Sequence, residues 1–338
     1  MLVRLLKPPP LKTGDTIGIV SPASGVAAFC PRRLMRGVQH LQDLGFRVLI
    51  GTNAQKHSGH TAGTRDERLA DLHEMFQNPQ VSAIITTIGG YNSHQLLDAL
   101  DYSLIKAHPK ILMGYSDITA LLLGIYSQTK MVTFMGPQVL PQLGDYGGSL
   151  KYTRKHFLSV LAGGRSHAMG PAPAWTEERL EWEVADDRPR ALKANKGWSV
   201  LNPGSAQGPL FAGNMSTLLL LAGTPYLPDL TGAILCLEDD ETVSPAIVDR
   251  YLTQLRQMGV YDRIAALVIG RFPSDVRFTD EDPLEAIVRS ATRGYAFPIV
   301  TDADFGHTDP IMTLPNGITA RLAADESPSL TLLEPAVG

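Results

Sequence analysis

The sequence predicts an α/β fold: an N-terminal flavodoxin-like or Rossmann-like domain on a parallel sheet, then a smaller C-terminal α/β domain. Three observations carry this. Short β-branched runs alternate with stretches whose apolar residues fall at helical spacing, the order that gives a parallel sheet covered on both faces. The 338 residues, 44% hydrophobic and 19% charged, suffice for a large core, and the length favours two domains over one. A stretch of glycine, proline and charge separates two regular regions, so the expected units are 1–150, a connector over 151–208, and 209–338. No internal repeat is visible.

Residues 16–20, TIGIV, read as the first strand and end in Ser21-Pro22-Ala23-Ser24-Gly25; residues 31–44 follow with helical spacing. Residues 47–50 give a second strand, and 65–76 a helix with Leu69, Leu72 and Phe76 on one side. The third strand, over 81–88, runs into Gly89-Gly90-Tyr91-Asn92-Ser93. Residues 110–120, KILMGYSDITA, supply a fourth strand, a tight turn and a helix, and 131–135 a fifth strand. Ligands of such sheets sit beyond the carboxyl ends of the strands, so the turns at 21–25, 89–93 and 114–116 are expected to converge. Between 144 and 208 the pattern weakens, and this stretch holds all three tryptophans, Trp175, Trp182 and Trp198. Regularity returns with a helix over 215–221, a strand over 232–237, a helix over 248–258 and a strand over 265–269. Residues 298–301 lead into the turn-rich loop 303–310, and strands over 318–322 and 329–333 close the chain.

A net charge of -4 without long blocks of like charge gives no support for binding a nucleic-acid polymer, so the expected partner is a small molecule or peptide. Two cysteines, Cys30 and Cys236, exclude a disulfide framework and a cysteine-rich metal site, and a reducing cytoplasm is the simplest setting. The opening MLVRLLKPPPLKTGD is too short in apolar residues for a signal peptide. No later run reaches eighteen apolar residues, so no membrane span is expected. Neither a G-x-G-x-x-G fingerprint nor a P-loop follows any strand, and no cofactor is expected.

The chemistry centres on Ser116. In KILMGYSDITA a buried strand meets Gly114, Tyr115 and Ser116 before a helix begins, which resembles a nucleophile elbow, although position +2 is Ile118 and not glycine. The residues alone leave two readings: a nucleophile, or an N-cap for the helix. A nucleophile needs a base with an orienting acceptor. Of nine histidines, His40 and His73 lie on helices and His108 precedes Pro109. His57 and His60 form H-x-x-H without a third ligand nearby, so no metal is expected. His94, after the Gly-Gly turn, either lines the site or starts a helix. His307 stands apart, in a loop after a short apolar strand. Glu238 ends the apolar run 233–237, where a carboxylate needs a partner; it is either an orienter or a structural ion pair or cap. The order Ser116, Glu238, His307 is that of α/β-hydrolases. The tryptophans, with Glu177, Glu178, Glu181 and Glu183, read either as anchors of a long loop or subunit contact, or as an aromatic wall for a planar group.

GDTIGIVSPAS, the GGYNS turn, GYSDIT, FAGNMSTL, LCLED and DFGHTDPIMTLPNG, in this order and across nearly the whole chain, resemble the serine peptidases that include bacterial LD-carboxypeptidases and microcin C immunity carboxypeptidases. The resemblance implies a Ser116–Glu238–His307 triad, an oxyanion hole from the amides of Gly90 and Asp117, substrate contact at Gly89, metal independence, and a homodimer with the site between two domains. The long connector with WTEERLEW looks more like the microcin C immunity branch. That implies cleavage of an amide joining a C-terminal acidic residue to a nucleotide-like group, with Trp175 and Trp182 stacking on the base. The alternatives are an LD-carboxypeptidase acting on murein tetrapeptide, or a non-catalytic protein that binds a peptide or nucleotide. One departure stands out: Glu238 is followed by Asp239, Asp240 and Glu241 with no basic residue before Arg250, so countercharge for an anionic substrate must come from elsewhere.

Overall fold

The computed structural model describes residues 4–164 and 167–338, so the first three residues of the opening stretch lie outside the described residues. The first half follows the expected alternation: β1 (Thr16–Val20), α1 (Pro31–Asp43), β2 (Arg47–Ile50), α2 (Arg65–Gln77), β3 (Val81–Thr86), α3 (Tyr102–Ala107), β4 (Ile111–Gly114), α4 (Thr119–Thr129) and β5 (Phe134–Met135). Helix starts are locally encoded, α1 by Pro31 in its first turn and α2 by a reciprocal Thr64–Glu67 capping box. Strands β1, β3 and β4 are almost wholly buried, as apolar runs covered on both faces must be. They pair in parallel in the spatial order β5-β4-β3-β1-β2.

The stretch expected as an irregular connector is more ordered than its composition suggests. It contains α5 (Lys151–Leu161) and the short strands β6 (His167–Met169), β7 (Ala174–Trp175), β8 (Lys193–Ala194) and β9 (Ser199–Asn202), and leads into β10 (Gly204–Asn214). Strands this short and polar show no alternation, which hides them in the sequence. Then come α6 (Met215–Leu220), β11 (Ile234–Glu238), α7 (Pro245–Gln257), β12 (Ala266–Gly270), α8 (Leu284–Ala291), β13 (Ile299–Ala303), β14 (Leu314–Pro315), β15 (Thr319–Ala324) and β16 (Ser329–Leu332). The second sheet runs β6-β16-β15-β10-β11-β12-β13-β9, with a parallel centre from β10 to β13. Strand β10 serves both patterns: Gly204–Pro209 pairs antiparallel with β15, and Leu210–Asn214 parallel with β11.

Two features fix the halves to each other. Strand β14 leaves the second half and pairs antiparallel with β5 at the edge of the first sheet. The next residue, Asn316, donates to Thr133 from its backbone (2.8 Å) and side chain (3.2 Å), and its Oδ1 accepts the Ala212 amide of β10 (2.8 Å). The carboxyl ends of β4 and β11 are thereby held facing one another.

Candidate active site

Ser116 lies just beyond β4, separated from it by Tyr115, with φ at 61°. A residue with a Cβ enters this left-handed region at a cost of about 1–3 kcal/mol, which the surrounding packing must offset. The neighbour is Gly89: a Cβ there would lie 2.8 Å from Ser116 Cβ, so only glycine lets the two backbones approach. The hydroxyl caps no helix. Neither the short turn Ser116–Ile118 nor α4 has a side-chain cap bond, which removes the N-cap reading.

The hydroxyl faces His307, whose Nε2 lies 3.2 Å from Ser116 Oγ. On the far side of the ring, Nδ1 donates to Glu238 Oε2 at 2.6 Å. Glu238 is the last residue of β11 and fully buried, and its Oε1 has no partner among the described residues. Gly306, at φ 105°, allows the His307 loop to close on it, since a Cβ would come within 2.8 Å of Glu238 Cβ. Tyr115 steadies the imidazole from the side, ring edge to face with centroids 5.1 Å apart, and its hydroxyl accepts from Gln142 Nε2. Burial alone would depress the His307 pKa. The Glu238 carboxylate, by charge and hydrogen bond, outweighs burial, and Asp240 and Glu241 add to it, so the imidazolium persists up to about 9.

The Gly89-Gly90 turn borders the same hydroxyl. Ser24 donates its amide (3.2 Å) and its hydroxyl (2.7 Å) to the Gly89 carbonyl. In a trans peptide the C=O and N–H point opposite ways, so pinning that carbonyl turns the Gly90 N–H away from Ser24. Asp117 contributes the backbone amide following Ser116, while its carboxylate accepts the Ser93 amide at 2.8 Å.

Two chambers open on Ser116. The first, about 590 Å³, is lined by His307, Gln138, Arg33, Arg179, Trp182 and Arg190 among others. Its cations come from α1 and from the loop before β8, which supplies the countercharge missing near Glu238, and each is already paired. Arg33 meets Asp186 (3.1 Å) and Asp145 (3.3 Å), Arg190 meets Asp145 (2.7 Å) and Asp309 (2.8 Å), and Arg179 meets Glu241 (2.5 Å). The loop is tied to the base as well, because Thr176 and Asp309 exchange backbone hydrogen bonds two residues beyond His307. The second chamber, about 600 Å³, shares Gly90, Tyr91, Ser116 and Asp240 with the first and extends toward α6 and α7.

Of the residues singled out in the sequence, Ser116, Glu238, His307, Gly89, Gly90 and Asp117 come together, and Trp182 lines the first chamber beneath the Arg33 guanidinium, 4.2 Å from its ring centroid. Trp175 does not. It sits in β7 with Arg271 (4.6 Å) and Lys193 (5.1 Å) over its ring, an anchor in an ion-paired hairpin and outside both chambers. Trp198 is likewise structural, its indole donating to buried Asp304. Among the described residues no group of three or more His, Cys, Asp or Glu is arranged to hold a metal ion. Sequence reasoning missed Tyr115, Arg33, Arg179 and Arg190; only Tyr115 carried a signal, its place beside the serine.

Family models for the LD-carboxypeptidase N-terminal and C-terminal domains match residues 17–136 and 207–322. The chain belongs to the LD-carboxypeptidase family. Membership places it among serine-type carboxypeptidases. YocD of Bacillus subtilis is 38% identical, over 93% of this chain and 95% of that protein. The microcin C7 self-immunity protein MccF of Escherichia coli is 34% identical over 94% and 92%. The structure of MccF in complex with aspartyl sulfamoyl adenosine matches with a TM-score of 0.92 at 31% identity, covering 98% of this chain and all of that one. MccF is also solved with glutamyl sulfamoyl guanosine, and as an active-site mutant with a serine, an asparagine and a lysine changed to alanine.

Proposed function

We propose that this protein is a serine carboxypeptidase or amidase that hydrolyses the amide between an aminoacyl residue and a nucleotide-like leaving group, using Ser116, Glu238 and His307 as a triad. The hydrogen-bonded row from Glu238 through His307 to Ser116 carries this reading. Neutral His307 takes the Ser116 proton at Nε2 as Oγ adds to the amide carbon. Glu238 holds the Nδ1 proton and stabilises the imidazolium, and the amides of Gly90 and Asp117 receive the developing oxyanion. His307 then gives its proton to the leaving nitrogen, the C–N bond breaks, and water attacks the acyl-serine by the reverse proton path.

Because MccF binds aspartyl and glutamyl sulfamoyl nucleosides, such conjugates are the first substrates to test, and Trp182 is the surface for the base. The active-site mutant of that relative includes a lysine, whereas here, among the described residues, no lysine lines either chamber. A second reading, an LD-carboxypeptidase of murein tetrapeptide, is favoured by the Arg33 guanidinium that already covers the Trp182 ring. A cytoplasmic homodimer belongs to the same proposal.

The test follows release of the nucleoside, or of the terminal amino acid of murein tetrapeptide, by chromatography. Wild type should turn over one of the two, and Ser116→Ala should lose about 10⁴-fold or more in kcat while still binding. Undiminished turnover by Ser116→Ala would sink the triad, and binding without turnover by wild type would mark a binding protein.

A further inference from the structure

The second chamber assigns the acyl side of the substrate. His307 lines the first chamber and not the second, and the group that protonates the leaving nitrogen must stand on the leaving-group side of Ser116. On the hydrolase reading, which this step rests on, the acyl residue therefore extends into the second chamber. The walls there are apolar side chains of α6 and α7 and the loop between β11 and α7: Leu219, Val243, Ile247 and Tyr251. Among the described residues no arginine or lysine lines it. Among the described residues His94 is its one basic group, and the carboxylates Asp117 and Asp240 line it too.

Asp240 differs from the other carboxylates around Ser116. Asp145, Asp309 and Glu241 each pair with an arginine, and Asp117 accepts from Ser93. Among the described residues Asp240 has no ion-pair partner. It borders both chambers; its Oδ1 accepts from the amide and hydroxyl of Thr242, which lines the second and not the first, and Oδ2 has no hydrogen-bond partner among the described residues. An acidic acyl side chain entering here would meet like charge at Asp240 and find no arginine or lysine. A side chain with an aliphatic stem and a terminal ammonium would lay the stem along the α6 and α7 walls and bring the charge to Asp240.

We infer that the chamber beyond Ser116 selects an acyl residue whose side chain ends in an ammonium group, with Asp240 as its counter-ion, and disfavours the acidic acyl residues that MccF binds. The experiment measures kcat/KM of the full-length protein on lysyl, leucyl and aspartyl sulfamoyl adenosine at one pH. Wild type should prefer the lysyl over the aspartyl conjugate by about tenfold or more. In Asp240→Asn, and in Asp240→Ser as a second variant, the lysyl-to-leucyl ratio should fall about tenfold. Taking the ratio within each variant cancels any change in the His307 pKa, which acts on all conjugates alike. A preference for the aspartyl conjugate, or an unchanged ratio in both variants, overturns the inference while leaving the hydrolase reading intact. No turnover of any conjugate overturns the inference, and no turnover of murein tetrapeptide either overturns the hydrolase reading as well.

Discussion

The two chambers that meet at Ser116 are nearly equal in volume, about 590 and 600 Å³, yet opposite in construction. The first is walled by arginines of α1 and the loop before β8, whose charges are met by buried or half-buried carboxylates of the turn before α5, the loop before β8 and the His307 loop. The second is walled largely by helix side chains, and among the described residues neither of its carboxylates, Asp117 and Asp240, has an ion-pair partner; Asp117 is met by the Ser93 amide and Asp240 by Thr242. A mesh of paired ions resists rearrangement, because removing one member strands another in a poorly solvated place. A largely apolar pocket whose carboxylates have no cation beside them leaves that electrostatic interaction to the ligand. On the proposed reading, shape and stacking select on the leaving-group side, and charge selects on the acyl side.

The largest expected effect ignores the division altogether. Glu238→Gln keeps the geometry but loses the carboxylate that stabilises the imidazolium, and kcat should fall about 10³- to 10⁴-fold for every substrate. A loss that varied with the acyl or leaving group would mean that Glu238 acts through one chamber and not through His307.

Next comes Trp182→Ala. Stacking of a base on an aromatic ring contributes about 1–3 kcal/mol, so kcat/KM for a nucleoside conjugate should fall roughly 10- to 100-fold, with much less change for a substrate whose leaving group is a single amino acid. Equal losses on both would remove the leaving-group assignment of the first chamber.

The smallest effect concerns pH. His307 must be neutral to accept the Ser116 proton, and it holds its proton up to about 9, so kcat/KM should rise with pH and level off near that value. Glu241→Gln removes one of the charges that raise it and should move this limb to lower pH by less than one unit. A limb that stays in place would show that Arg179 already screens Glu241 from the ring. Stability runs the other way. The folded-state pKa lies above the ordinary 6.5, so the bound proton stabilises fully below about 6.5, and that contribution disappears as pH rises through about 9.

Much of this was legible in the sequence because its signals are local. Strands β1 to β4 are apolar runs bounded by turn residues, the elbow lies in one continuous segment, and Glu238 and His307 stand where strands end. The first chamber was not legible, because its chemistry comes from long-range pairing. Arg33 sits in α1 among other basic residues and reads as a surface cation, yet it is only 2% exposed, since Asp145 and Asp186 arrive from more than a hundred residues away to meet it. Trp175 and Trp182 look alike in sequence. Their neighbours decide that one braces a hairpin and the other lines a cavity. The absence of a basic residue after Glu238 was visible, and the structure gives it a location: the second chamber has no arginine or lysine among the described residues.

Strand β14 adds a consequence for biosynthesis. The first sheet draws its outer strand from Leu314–Pro315, and Ser116 meets its base 191 residues downstream. On the ribosome Ser116 emerges long before His307, and the first sheet stays short of one edge until Leu314–Pro315 has been made. A chain released early carries the serine without the imidazole beside it. On the proposed reading, the serine therefore meets its base only late in synthesis, by the order in which the parts of the site appear.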